Sequence, residues 1–247
     1  MISILTPSRG RPALAKRMYD SAKATAKKPE TLQILFYLNE DDPFVEEYKK
    51  ILPAHSLTIG PDQSTSYSWN NQLLPKATND IIFLAGDDVR FQTTDWDQTI
   101  VNVFEQYEDK ICMVVPWCGK STDWKKELPD QPVINVPHGI KVGSPHFALH
   151  KNWINTLGYF LPPWFWHWYV DTYNQKIANE LGRLIFIPQT LVLAKKVFDD
   201  TGDRVRKYLN INKRDDYVWS KIQGRHIEAD VNALRTFIET FNLKKDL

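Results

Sequence analysis

Apolar residues in the first half of the chain fall into short runs, and each run ends in a polar cluster. Residues 2–6 form one such run, closed by Pro7-Ser8-Arg9-Gly10-Arg11-Pro12, the pattern of a buried strand feeding a polar turn. Residues 12–26 then repeat at helical spacing, with Leu14, Met18 and Ala22 near one face. The run 32–38 predicts a strand closed by Asn39-Glu40-Asp41-Asp42-Pro43, followed by a helix over 44–51 and a short strand over 56–59. A helix is predicted over 68–77, then a strand over 80–85 stopped by Gly86-Asp87-Asp88. Strands alternating with helices through residue 110 imply βαβ units and a largely parallel sheet. Ligands of such a sheet bind where the carboxyl ends of the strands open.

The second half is less regular. Strands are predicted over 111–116 and 147–150, around a Pro- and Gly-rich excursion, and a short helix over 151–157. An aromatic segment over 159–169 precedes a helix over 171–181 and a strand over 184–188. The polar stretch 199–225 carries loop signals and is a candidate lid, and 229–241 reads as a C-terminal helix.

Composition narrows the class. The 247 residues carry 31 Lys+Arg against 30 Asp+Glu, so no global basic field announces a nucleic-acid partner. With 43% hydrophobic and 25% charged residues the chain is not a disordered one. The start lacks a signal-peptide pattern, and no run approaches the ~18 apolar residues of a membrane span, which leads to the expectation of a cytoplasmic protein. Cys112 and Cys118 are too few for a disulfide framework or a four-cysteine zinc site. Nine Trp, ten Tyr and twelve Phe are the outstanding feature. Trp153, Trp164, Trp166 and Trp168 cluster just ahead of the helix that opens at Asp171, so the excess is local.

Three strand ends carry chemistry. Pro7-Ser8-Arg9-Gly10-Arg11 precedes a helix N-terminus and suits an anionic ligand, or is an ordinary turn with solvated arginines. It lacks the Walker A and G-x-G-x-x-G patterns. Asn39-Glu40-Asp41 offers acceptors for a base or ribose, or caps the next helix. In Ile81-Ile82-Phe83-Leu84-Ala85-Gly86-Asp87-Asp88 an apolar strand runs straight into two carboxylates. Hard divalent cations take oxygen ligands and keep positions open for phosphate, although a capping turn has the same look.

Taken in order, residues 2–9, Asn39-Glu40-Asp41, residues 70–77 and Phe83-Leu84-Ala85-Gly86-Asp87-Asp88 resemble the nucleotide-binding half of GT-A glycosyltransferases, family 2 type. Gly86-Asp87-Asp88-Val89-Arg90-Phe91 with Thr94-Asp95-Trp96-Asp97 looks like a branch found in phage and bacterial genomes. The likeness continues through Gly158-Tyr159-Phe160 to Val170-Asp171 and on to Pro188, covering about residues 1–190. It implies one GT-A (Rossmann-like) domain over 1–247 with a mostly parallel central sheet flanked by helices. Residues 1–110 would hold the nucleotide-sugar, 111–198 would form an aromatic-rich acceptor half, and 199–247 a loop and C-terminal helix.

The implied activity is sugar transfer from a nucleotide-diphospho-sugar, a UDP-sugar by preference, to an acceptor hydroxyl with inversion. Pro7, Ser8, Arg9 and Arg11 would line the nucleotide, Asn39 and Asp41 the base, with Asn70 nearby. Asp87 and Asp88 would hold a divalent cation, Mn²⁺ or Mg²⁺, with Asp87 also near the donor, and Asp171 would be the base. The first Asp of the family's DxD element falls on Ala85, and its usual later metal-binding His falls in Leu193-Ala194-Lys195-Lys196. Either the cation would then be held by fewer protein ligands, or Lys195 or Lys196 would partly take over its charge role as diphosphate counter-ion. Trp164, Trp166, His167, Trp168 and His146 are candidate acceptor contacts, with a hydrophobic wedge and structural histidines as the alternative.

The phage likeness makes a hydroxymethylated DNA base a candidate acceptor. Lys195, Lys196, Arg204, Arg206, Lys207, Lys213 and Arg214 would then track phosphates, or form a solvated basic face. A glycan or lipid-linked acceptor, a nucleotidyltransferase and a non-catalytic sugar-nucleotide-binding module are the competing readings.

Overall fold

The structure is a computed structural model, and it describes residues 1–119, 125, 128–143, 145–194 and 211–245. Lys195, Lys196, Arg204, Arg206 and Lys207 therefore lie outside the described residues. Nine strands form among these, with the path β3-β2-β1-β4-β8-β6-β9-β5 and β7 paired to β9. They are β1 (Ile2–Ser8), β2 (Gln33–Asn39), β3 (Leu57–Gly60), β4 (Ile81–Leu84), β5 (Val89–Phe91), β6 (Met113–Trp117), β7 (Ile134–Asn135), β8 (Phe147–His150) and β9 (Leu184–Ala194).

β1 lies parallel between β2 and β4, with Ser8 opposite Leu38 and Leu5 opposite Leu84. β3 adds in parallel, with Gly60 beside Asn39. This registration brings the polar ends of β1, β2, β3 and β4 to one edge of the sheet. β8 runs antiparallel between β4 and β6, and β6 pairs parallel with β9, so the sheet passes continuously from the first half of the chain into the second.

Side chains alternate across these strands and feed a core on each face. Helix α1 (Pro12–Thr25) turns Ala15, Met18 and Ala22 onto one face, beside Ile4, Phe36 and Phe83. Pro12 stands at its first position, where the missing N–H costs nothing. Helix α2 (Val45–Ile51) buries Tyr48, and α3 (Thr65–Tyr67) runs on as a π-helical segment Ser68–Leu73. Pro75 accounts for the end of the helix expected over 68–77: it has no N–H for the ladder, and only a 3₁₀ turn, Leu74–Lys76, follows. Helix α4 (Trp96–Glu105) buries Trp96 against Phe91 and Phe83.

On the other face α5 (Lys151–Leu157) and α6 (Val170–Glu180) pack Trp153, Tyr173 and Ile177 into a second core. Two differences from the sequence pattern stand out. The stretch expected as polar loop contains a helix, α7 (Ile211–Ile222), and the C-terminal helix α8 (Arg225–Lys245) begins before residue 229. β9 also continues past Pro188 to Ala194, where β5 pairs with it antiparallel. None of the described helices is long and apolar enough to cross a membrane.

Candidate active site

The edge where β1, β2, β3 and β4 end opens into a cavity of about 300 Å³. Pro7, Ser8, Arg9 and Arg11 line it from the first strand end, Asn39 from the second, and Gly86, Asp87 and Asp88 from β4. The three polar clusters thus share one cavity.

Hydrogen bonds lock the clusters to one another. Arg9 forks onto both oxygens of Asp41, the Nη2 contact being 3.0 Å, so Asp41 holds an arginine of the cavity wall. Gly10 turns at φ 68, a conformation open to glycine, and its N–H donates to Asp42 Oδ2 at 2.7 Å. The Arg11 N–H donates to the Tyr48 hydroxyl at 2.8 Å, and that hydroxyl lies 2.7 Å from Ser8 Oγ. Ser8 in turn donates to Asp87 Oδ2 at 2.7 Å, while Arg11 Nη1 reaches Asp87 Oδ1 at 3.1 Å. Both Asp87 oxygens are engaged inside the protein. Burial pushes its carboxyl up to about 6, against the pull of Arg11 and Ser8.

Asp88 is the more open carboxylate. Arg17 donates to its backbone oxygen at 2.7 Å. A Cβ on Gly86 would meet Asp88 Oδ1 at 2.7 Å, so the glycine is what lets this carboxylate fold back over the loop. Mg²⁺-type sites commonly use one or two carboxylates and complete their shell with phosphate oxygens and water. Asp88 could take the ligand position in such an arrangement, Asp87 being engaged by Ser8 and Arg11. Among the described residues no cluster of three or more His, Cys, Asp or Glu could hold a metal by itself.

Sequence reasoning overlooked the fourth strand end. Asp62, Gln63, Thr65 and Ser68, which follow β3, also line the cavity, and Asn39 Nδ2 donates to Asp62 Oδ1. The signal was the same polar run after an apolar one. Asn70 is placed elsewhere: its Oδ1 accepts from Phe160 N and Leu161 N at 2.9 Å, and its Nδ2 donates to Leu161 O at 2.7 Å. It pins a loop and does not line the cavity.

The aromatic segment divides its side chains. Trp166 and His167 line the cavity, with Thr65 N donating to Trp166 O and Thr65 Oγ1 lying 2.9 Å from His167 Nδ1. Trp164 packs among Tyr159, Tyr173 and His226, the wedge role. Trp168 is 37% exposed. His146 is buried, its Cε1 3.6 Å from the position of a Gly86 Cβ, which puts it behind the acidic loop.

Asp215 of α7 organises this segment without any sequence signal. Its side chain is fully buried and accepts from Trp166 N, His167 N and Trp168 N at 2.9 Å each. Arg214 pairs with it at 3.1 Å and lies over the Trp166 ring at 5.7 Å.

The chain then reverses at Tyr169, where φ is 67, a costly conformation for a bulky residue (~1–3 kcal/mol). Stacking on Trp219 at 4.9 Å helps to hold it. Beyond the turn Asp171 lies in the first turn of α6, not at its N-cap, which is Tyr169. Asp171 lines a second cavity, of about 700 Å³, with Thr172, Gln175, Lys176, His138, Lys141 and Pro145 among others.

Comparison of the whole structure with solved ones identifies this architecture. It is similar to "Mannosyltransferase PcManGT from Pyrobaculum calidifontis in complex with GDP-Man and Mn2+" at a TM-score of 0.61 and 14% identity, over 96% of this chain and 69% of that one. The chain has a GT-A fold. S. aureus TarS 1-349 in complex with UDP-GlcNAc aligns with this GT-A chain at 0.58 and 11% identity, over 93% of this chain and 70% of that one. Another S. aureus TarS structure aligns at 0.55 and 10%, over 89% of this chain but only 42% of that one. The sequence matches no family model and no curated protein.

Proposed function

We propose that this GT-A chain is a glycosyltransferase that moves a sugar from a nucleotide-diphospho-sugar to an acceptor hydroxyl. The observation that carries the reading is the convergence of four strand-end clusters on the 300 Å³ cavity, which Arg9, Arg11, Asp87 and Asp88 all line. Two of the similar structures are complexes, one with GDP-Man and Mn²⁺ and one with UDP-GlcNAc, which supports a nucleotide-sugar as the ligand of such a cavity.

Asn39 and Asp62 would hydrogen-bond base or ribose, since both carry acceptors suited to ring N–H and hydroxyl groups. Arg9 and Arg11 would face the diphosphate and stabilise negative charge as the anomeric C–O bond breaks. A divalent cation, held by Asp88 and the donor's own phosphates, would add Lewis-acid stabilisation of the leaving group. Arg11, paired to Asp87, would compete with a cation for that carboxylate. Asp171 would accept the proton of the attacking hydroxyl from the side of the second cavity, which fits inversion.

A nucleic-acid acceptor is not part of this proposal. Arg214, a described member of the basic stretch, is half exposed, pairs with Asp215 and lies over the Trp166 ring.

The test is slow hydrolysis of a panel of UDP- and GDP-sugars, followed with and without Mn²⁺. Turnover of at least one donor is expected, and no turnover with no thermal shift from any donor would sink the reading. With an acceptor in hand, Asp171→Asn should lower transfer by ~10²–10⁴-fold while donor binding stays intact. Full transfer by that variant would remove the base assignment.

A further inference from the structure

Two stretches of chain wall both cavities. Trp166 and His167 face the donor cavity, whereas Asp171 lines the second. In α7, Ile211 reaches the donor cavity and Trp219 the second. Pro145 lines the second cavity, and Cε1 of its neighbour His146 lies 3.6 Å from where a Cβ on Gly86 would stand. The cavities are adjoining compartments, with Asp87 and Asp88 in one and Asp171 in the other.

The second compartment follows one face of α6. Asp171, Thr172, Gln175, Lys176, Asn179 and Glu180 line it, at spacings that stack along a single side of a helix. That side is wholly polar, while Val170, Tyr173, Ile177 and Ala178 fill the core on the other. A polar helix face ordinarily meets solvent. Here the 137–143 loop covers its far end. Gly139 N donates to Asn179 Oδ1 at 2.7 Å, Asn179 Nδ2 donates to Pro137 O at 3.0 Å, and His138 Nε2 lies 3.2 Å from Glu180. From 171 to 180 a helix rises roughly 14 Å, so the compartment is elongated as well as more than twice the donor cavity's volume.

We propose that this groove binds the acceptor as an extended, hydroxyl-rich chain, an oligosaccharide or comparable polyol, and delivers one hydroxyl to its Asp171 end. The assignment rests on the transferase reading of the donor cavity. Lys141 and Lys176 are offset by Asp171 and Glu180, so the groove does not offer the positive field a polyanion needs. Thr172, Gln175 and Gln223 both donate and accept, as sugar hydroxyls do. Trp219 supplies apolar surface for the C–H sides of such a chain. In the step itself the acceptor O–H proton passes to the Asp171 carboxylate. The acceptor oxygen forms the new bond to the anomeric carbon, and the old C–O bond breaks with its electron pair on the diphosphate.

The experiment uses the full chain on an array of immobilised oligosaccharides and polyols that also carries hydroxymethylated duplex DNA. Wild type should bind at least one saccharide or polyol. Gln175→Trp, which fills the groove, should weaken that binding by about tenfold or more, the equivalent of about 1.4 kcal/mol, and keep the donor thermal shift. If Gln175→Trp loses the donor shift too, the paired variant Gln175→Ala/Lys176→Ala replaces it, with the same loss expected. Donor binding without any saccharide or polyol binding would overturn the proposal, as would binding that survives the groove variants or binding of the DNA alone. Absence of a donor shift in wild type would instead mark failure of the transferase reading beneath it.

Discussion

The Asp215 carboxylate is fully buried and accepts from three consecutive backbone N–H groups beside its pairing with Arg214. A buried carboxylate is tolerable only when hydrogen-bonded in this way, and its removal leaves three donors unmatched. Asp215→Ala should therefore cost about 3 kcal/mol, or roughly 6–12 °C in melting temperature, as measured by calorimetry. A shift within 1–2 °C (about 0.5 kcal/mol) would show that the backbone donors find other partners. His167, in the same segment, titrates below its usual value of 6.5 because burial disfavours the imidazolium, against the pull of Asp215. Above pH 6.5 the ring is neutral in both folded and unfolded chain. As pH falls below that value the unfolded chain takes up the proton first, so stability declines. His167→Gln should flatten part of the fall in melting temperature between about pH 6.5 and 5. The same slope in both proteins would contradict this, with the part due to His150, shifted the same way, remaining. Residues at strand ends were legible because a polar run after an apolar one is a local signal, as at Asp87. Asp215 and Asn70 were not: each owes its role to backbone groups about 50 and 90 positions away.

Elements with one dominant pattern follow the sequence closely. β1, β2 and β4 are apolar runs buried on both faces, and α1 repeats at helical spacing. α7 departs from its polar sequence because few of its positions are apolar, and tertiary contacts through Ile211, Asp215 and Ile222 do the rest. β9 outlasts its expected end because β5, a three-residue strand, pairs with its continuation beyond Pro188. α8 carries its stability on Ile227, Val231 and Leu234, and Asp230 accepts from both Tyr159 and Tyr173. Leu234 is fully buried, so Leu234→Ala should destabilise by about 2–5 kcal/mol in denaturant unfolding. A cost under about 0.5 kcal/mol would mean that α8 does not belong to the cooperative core.

For the whole molecule, the sheet places donor-type chemistry and a candidate base in separate, adjoining compartments. The balanced charge of the chain conceals a local arrangement: Arg9, Arg11 and Arg17 gather where Asp41, Asp87 and Asp88 gather. The tryptophan excess likewise resolves into parts, with Trp153 and Trp164 in packing and Trp166 on the donor wall. On the proposed reading the first cavity is a nucleotide-sugar site completed by a cation at Asp88. Equilibrium titration of UDP-GlcNAc and GDP-mannose into wild type and Asp88→Ala, with Mn²⁺ present, tests it most directly. At least one donor should bind wild type with a Kd in the ~1 µM–1 mM range and bind Asp88→Ala about tenfold or more weakly. Equal affinity in the two proteins, or no binding to wild type, would contradict the account.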